Sequence, residues 1–219
     1  MDNGAPASEA VPAENQQGLF RRWLNQLKND PSSSDPRKLG KWGGIAIGTY
    51  LLIAAAVGVY WSGAPAHFDV SENAARYAAA TGQEVVTGTT TVSALQETIR
   101  ILLEKPGGYL HNDLFPPGVW LDNMPNWEYG VLVQSRDLAR ALREVLSRSQ
   151  SQSKEDVDLT LAEPRINFQS KSWILPASES EYRDALRFLE AYRARLPVTG
   201  GNSAQFYARA DNLSHWLGM

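Results

Sequence analysis

Residues 42–63, WGGIAIGTYLLIAAAVGVYWSG, form a run of 22 residues without one charged side chain. At ~1.5 Å of rise per residue, a helix of this length covers the ~30 Å hydrocarbon core of a bilayer. Lipid offers no partner for backbone amides, so such a run has one fold open to it, a helix that satisfies its own hydrogen bonds. Trp42 at one end and Tyr60 and Trp61 at the other supply the aromatics that favour the membrane–water boundary. The competing reading is a buried helix of a soluble domain, but those are usually shorter. The run predicts a transmembrane helix.

The flanks predict its orientation. Arg21, Arg22, Lys28, Arg37, Lys38 and Lys41 precede the run, whereas Arg76 is the sole Lys or Arg in the twenty residues after it, beside Asp69 and Glu72. Basic residues resist translocation, so the N-terminus is expected inside and the remainder outside. The first nineteen residues lack any basic side chain and the apolar run is long and late, which disfavours a cleaved signal peptide and favours a signal anchor. The whole chain carries 21 Lys+Arg against 24 Asp+Glu. That balance lacks the basic excess needed to gather phosphates, so nucleic acid is not an expected partner. With no cysteine in the chain, disulfide-stapled folds are excluded.

Ahead of the span, residues 1–17 are rich in Ala, Pro, Asn and Gln and read as a disordered cytoplasmic tail. Residues 18–41 form a basic juxtamembrane segment in which Leu19, Phe20, Trp23, Leu24 and Leu27 share one helical face. Two readings stand for it: a helix lying on an anionic membrane surface, or a short helix whose basic residues only set topology. Within the span Gly44 and Gly48 make a Gly-xxx-Gly pair, and Ala54, Gly58 and Ser62 repeat the small-residue spacing. Such spacing lets two helix backbones approach, so self-association through Gly44 and Gly48 is one reading and a chance pattern in a Gly/Ala-rich segment is the other.

Beyond the span, residues 64–90 read as a linker with short elements and 91–219 as a helical domain. Val92, Leu95, Ile99, Leu102 and Leu103 form one amphipathic stripe, halted at Pro106-Gly107-Gly108; Val131, Leu138, Leu142, Val145 and Leu146 form a second. A short helix is expected over KEDVDLTLAE, ended by Pro164. Another follows a capping box at Ser178-x-x-Glu181, with Tyr182, Ala185, Leu186, Leu189 and Tyr192 on its inner face. A last helix is expected from Asn202 or Ser203, burying Phe206, Ala210, Leu213 and Leu217. Strand signals at 85–92 and 165–168 are short and isolated. The predicted fold class is mainly α: one N-terminal transmembrane helix and an exported helical bundle interrupted by a long Pro-, Gly- and Trp-rich loop.

That loop, KPGGYLHNDLFPPGVWLDNMPNWEYG at 105–130, is the best place to look for chemistry, because long connections in compact domains tend to be functional. Asp113, Asp122 and Glu128 are the candidate acid/base residues, and His111, Trp120 and Trp127 the candidate ligand contacts. Tyr129 and Trp173 extend the aromatic set, as a glycan or peptide platform or as core. The bland alternative makes Asn112 and Asp113 turn formers and places Glu128 in the first turn of the next helix, near the helix dipole. Arg136, Arg140 and Arg143 recur at helical spacing beside Asp137 and Glu144 and read as a solvated, ion-paired face. There is no His-x-x-x-His, Gly-x-Ser-x-Gly, P-loop or dinucleotide fingerprint, so neither a metal site nor a cofactor is expected and the reading leans away from an enzyme.

PGGYL at 106–110, NDLFPPGVWLDNMPNWEYGVLVQSRDLARALR at 112–143, SRSQSQSKEDVDL at 147–159, SWILPASESEYR at 172–183 and AQFYARADNL at 204–213 resemble a family of proteobacterial inner-membrane proteins catalogued as domain of unknown function 2333. The resemblance runs from about residue 40 to the C-terminus. It implies an inner-membrane location and no established activity, substrate, cofactor or catalytic residue; with the orientation read from the flanks, the N-terminus is then expected in the cytoplasm and the C-terminal domain in the periplasm. Members of the family continue beyond HWLGM, so this chain is expected to be either a truncation or a shorter relative. Two functional expectations follow. One is a non-enzymatic module that binds or assembles another envelope protein; the other is a peptidoglycan-binding or peptidoglycan-hydrolysing domain that uses Asp113, Asp122 or Glu128 beside Trp120 and Trp127.

Overall fold

The computed structural model describes residues 36–149 and 154–211, together with Ser214 and Gly218. The expected tail at 1–17, residues 18–35 of the basic segment, and Leu213 and Leu217 lie outside the described residues. Those described form helices and no strand. The chain separates into two compact units between Ile53 and Ala54, inside the first helix.

Helix α1 spans Pro36–Trp61, and its stretch Gly40–Trp61 is long and apolar enough to cross a membrane. Gly44 and Gly48 face open space. The second small-residue stripe differs: Ala54 is 4% exposed and Gly58 is buried, while Val59 and Tyr60 beside them are exposed. What approaches Gly58 is the chain's own Pro117 and Leu121, 3.4 and 3.9 Å from where a Cβ would stand. The close approach that small residues permit is used at Gly58 within the chain.

Helix α2, Val70–Thr81, occupies the stretch expected as linker and short elements. Its signals are local: the Asp69 carboxylate accepts the Glu72 amide at 2.7 Å, and Gly82 closes the helix at φ 66°, where a side chain would be strained. Alanine dominates its buried face, so the hydrophobic stripe is faint. A buried asparagine supplies the docking contact instead, with Asn73 Nδ2 donating to Ser93 O at 3.1 Å.

Helices α3 (Thr89–Glu104), α4 (Asn123–Ala141), α5 (Val157–Ile166) and α6 (Ser178–Arg195) enclose the core. The α3 stripe is buried as its period demands, and so are Tyr182, Ala185, Leu189 and Tyr192 of α6. In α4 the buried face is Met124, Glu128, Leu132, Ser135 and Ala139, continuing through a π-helical turn at Leu142–Leu146. Val131 and Leu138 pack only at its edge. The expected stripe is met at Leu142 and Leu146, which are in the core, while the N-terminal part of the inner face carries two polar residues, Glu128 and Ser135, that an apolar stripe does not show.

Three local expectations are corrected. Helix α5 continues through Pro164 to Ile166. Proline removes only its own amide, Ile166 is fully buried, and Arg136 donates to the Ile166 and Phe168 carbonyls at 3.0 and 2.6 Å, so the last turn holds. The capping box at Ser178 does not form. Ala177 is the N-cap, and the Ser178 hydroxyl turns back to the Gln169 and Ser172 carbonyls at 2.6 and 2.9 Å. No helix begins at Asn202 or Ser203. Residues 203–209 are irregular, held by Ala204 N–H to Arg195 O, Tyr207 N–H to Leu146 O and the Tyr192 hydroxyl to Gln205 O. Helical geometry resumes at Ala210, which is exposed; Phe206 instead seats its ring over Gly88, where φ is 95° and a Cβ would stand 2.6 Å away.

The arginine face is likewise more committed than a solvated stripe. Arg136 caps α5, and Arg143 bridges Glu163 at 2.9 Å as well as its neighbour Glu144 at 3.0 Å.

Candidate functional site

The connection from α3 to α4 is built around one buried ion pair. Lys105, the residue that ends α3, reaches Glu128 in the second turn of α4, and both side chains are essentially without solvent access. The Glu128 carboxylate also accepts the Leu110 amide at 2.9 and 3.0 Å and the His111 amide at 2.7 Å, while Lys105 Nζ donates in addition to Gly108 O. Burial pushes the Glu128 carboxyl above its ordinary range, and the Lys105 ammonium and two amides offset part of that push. Every polar group here is spent on holding residues 105–111 against α4. An acid or base must reach a substrate proton, and Glu128, 0% exposed, has no face open to one.

His111 follows the same pattern. Its ring stacks on Tyr129 with centroids 5.4 Å apart, and Nδ1 lies 3.1 Å from the Pro125 carbonyl. A carbonyl only accepts, so Nδ1 carries the proton, leaving Nε2 buried without a hydrogen-bond partner. Burial lowers the pKa of the ring below 6.5. Tyr109 stands edge-on to Tyr182 at 5.6 Å and donates to Ser170 O at 2.9 Å. Asn112 donates to Ser172 O and to Glu179 Oε2, both at 2.9 Å, joining this connection to the loop before α6.

Asp113 is placed differently. It borders a cleft of about 310 Å³ together with Trp61, Phe115, Trp173 and Glu179. Burial first, and the Glu179 carboxylate second, push the Asp113 carboxyl upward. A Cβ on Gly118 would overlap this carboxylate, with Asp113 Cβ only 2.7 Å away, so glycine is required at that crossing. Asp122 is exposed at the N-cap position of α4, yet its side chain makes no capping bond. Trp120 is exposed after a single 3₁₀ turn, Gly118–Trp120. Trp127 lines a separate apolar cleft of about 560 Å³ between α3 and α4, with Leu95, Thr98, Val131 and Leu138.

The predicted residues are therefore not one constellation. Asp113 shares a cleft with Trp173, Glu128 and His111 are structural struts, and Trp127 belongs to another surface. Sequence reasoning placed Lys105 and Asn112 in this loop without their partners, took Trp61 only as an interfacial aromatic, and did not single out Glu179. Only Glu179 had a usable signal, an acidic side chain in the first turn of α6 beside the Trp173 loop. Among the described residues no three His, Asp or Glu side chains gather as metal ligands.

Among the described residues, fold and site together define a mainly helical protein with one apolar helix long enough to cross a membrane and a connection braced by a buried ion pair. The chain belongs to the family described as "Uncharacterized protein conserved in bacteria (DUF2333)", whose model matches residues 36–219. No curated protein and no solved structure matches it.

Proposed function

We propose that the protein is a single-pass bacterial inner-membrane protein, with its N-terminus in the cytoplasm and residues 64–219 in the periplasm, where the helical domain serves as a non-enzymatic interaction or assembly module of the envelope. The carrying observation is the state of Glu128: the connection most suited to chemistry spends its central carboxylate on Lys105 and two backbone amides. The apolar helix supports the anchoring, and the charge asymmetry around it supports the orientation.

The test is a periplasm-active reporter at the C-terminus of the full chain, combined with proximity labelling from the same position. An active reporter and a recurrent envelope protein among the labelled products are expected. An inactive reporter overturns the orientation, and an active reporter with no recurrent partner overturns the assembly role. Self-association through Gly44 and Gly48 is part of this proposal. Both glycines face open space, and in-membrane cross-linking should lose its dimer product on Gly44→Leu or Gly48→Leu.

A second reading, peptidoglycan binding or hydrolysis, draws support from the Asp113 cleft, where two carboxylates face two tryptophans. It predicts retention or cleavage of peptidoglycan that Asp113→Asn and Glu179→Gln abolish. Unchanged behaviour of both variants removes it.

A further inference from the structure

A depth argument starts at the end of α1. The uncharged run begins at Trp42, and a helix needs about 17 residues at the least and ~20 on average to cross the hydrocarbon core. The shortest span from Trp42 thus reaches Gly58 and the average one reaches Trp61. Ala54 lies seven residues before Trp61, roughly 10 Å deeper at ~1.5 Å per residue. Ala54 and Gly58 are nevertheless covered by protein, and at Gly58 the cover is Pro117 and Leu121. Trp61 packs over Gly107, 2.8 Å from its would-be Cβ, and Asn123 Nδ2 donates to Ser62 O at 3.5 Å. If α1 spans the bilayer, whatever touches Gly58 sits at membrane depth.

The segment that touches it is unusual for a water-facing loop. Leu114, Phe115, Val119 and Trp120 are all more than half exposed, Phe115 at 72%. The neighbouring loop adds Trp173, Ile174 and Leu175, the last 93% exposed, and Trp173 borders the same cleft as Phe115 and Trp61. Neither 114–121 nor 173–175 contains a charged residue. Contiguous exposed apolar surface of this kind marks a contact with protein or membrane, and indole rings favour the interfacial zone.

We propose that these two loops form a membrane-docking wedge, seated among the lipids of the leaflet at the Trp61 end of α1. The proposal rests on α1 being a membrane span and adds lipid as the second partner of the domain. Continuity selects lipid as the occupant: the patch begins on Gly58 and Trp61 of the helix itself, so lipid is already present at its edge.

Because the chain has no cysteine, single nitroxide labels test the wedge in the full protein reconstituted into phosphatidylethanolamine/phosphatidylglycerol vesicles. Phe115→Cys and Leu175→Cys report on the wedge, Leu52→Cys on the span and Val157→Cys, exposed at the start of α5, on water. The expected result is a several-fold higher ratio of oxygen to nickel-chelate accessibility at 115 and 175 than at 157, approaching that at 52. Aqueous accessibility at 115 and 175 with label 52 in lipid overturns the wedge and leaves the anchor standing. Shielding of both loop labels from both reagents means that protein covers the patch, which also overturns it. An aqueous label at 52 overturns the span and the wedge with it.

Discussion

Residues 105–113 and 114–121 are consecutive halves of one connection, and they solve opposite problems. In the first half the polar groups turn inward: Lys105 and Glu128 pair without solvent, Asn112 bonds across to Glu179, and Tyr109 is buried against Tyr182. In the second half the large apolar groups turn outward, with Leu114, Phe115, Val119 and Trp120 exposed. A water-soluble loop would reverse both choices. The first half is tied to α4 by its buried ion pair and hydrogen bonds, and the second half continues from it beside Gly58 and Trp61.

The largest effect should come from breaking the ion pair. Lys105→Met or Glu128→Gln alone leaves the partner buried without its counter-charge, a loss of about 3–5 kcal/mol, whereas the double variant Lys105→Met/Glu128→Gln, whose amide oxygen still accepts the Leu110 and His111 amides, should lose less than the two single variants summed. Denaturant unfolding of the detergent-solubilised chain measures this, and an additive double variant would show the pair to be uncoupled. Gly118→Ala acts at the joint between the halves. Its methyl group would overlap the Asp113 side chain from Cβ outward, an overpacking cost of about 1–3 kcal/mol that Asp113→Gly, which removes the Cβ as well, should relieve.

In contrast, Phe115→Ser and Leu175→Ser should shift stability by no more than about 0.5 kcal/mol in detergent, because neither side chain is in the core. A larger loss would place both inside a protein contact and blur the distinction between the halves.

Titration separates the halves more finely. The His111 pKa is lowered on folding, so the stability it contributes is present above 6.5 and declines as pH falls below that value toward the folded pKa. Below pH 6.5, His111→Gln should therefore show a shallower stability slope than the wild type, and an NMR titration should place the His111 midpoint under 6.5. Asp113 has the opposite sign. Its pKa is raised on folding, so its contribution is full below 3.8 and lost as pH rises through the folded value. Asp113→Asn should give a small gain in stability at neutral pH that disappears in acid.

Much of the helical framework was legible beforehand, and the reason is locality. The α3 and α6 stripes are apolar at a 3.6-residue period, and a period needs no knowledge of partners. The stripe read from Val131, Leu138, Leu142, Val145 and Leu146 holds at Leu142 and Leu146, yet Glu128 and Ser135 also occupy the inner face of α4, since a buried polar group is legible only once its partner is known. Helix α2 escaped because alanine and a buried asparagine leave a weak stripe, and the expected terminal helix failed because residues 203–209 bond to the ends of other helices instead. At the site, Asp113, Glu128 and His111 were singled out together as candidates, and nothing local distinguished the strut from the carboxylate facing a cleft.

By itself the sequence determined the membrane-length apolar helix, the inner faces of α3 and α6 and membership of a bacterial family, all of which depend on composition and short-range order. Only the tertiary structure decided that Lys105 neutralises Glu128, that Asn112 meets Glu179 across 67 residues of chain, and that two apolar loops gather beside the last turns of α1. Those outcomes depend on which side chains leave water together, and desolvation is a property of the folded surroundings rather than of any residue or its neighbours in sequence.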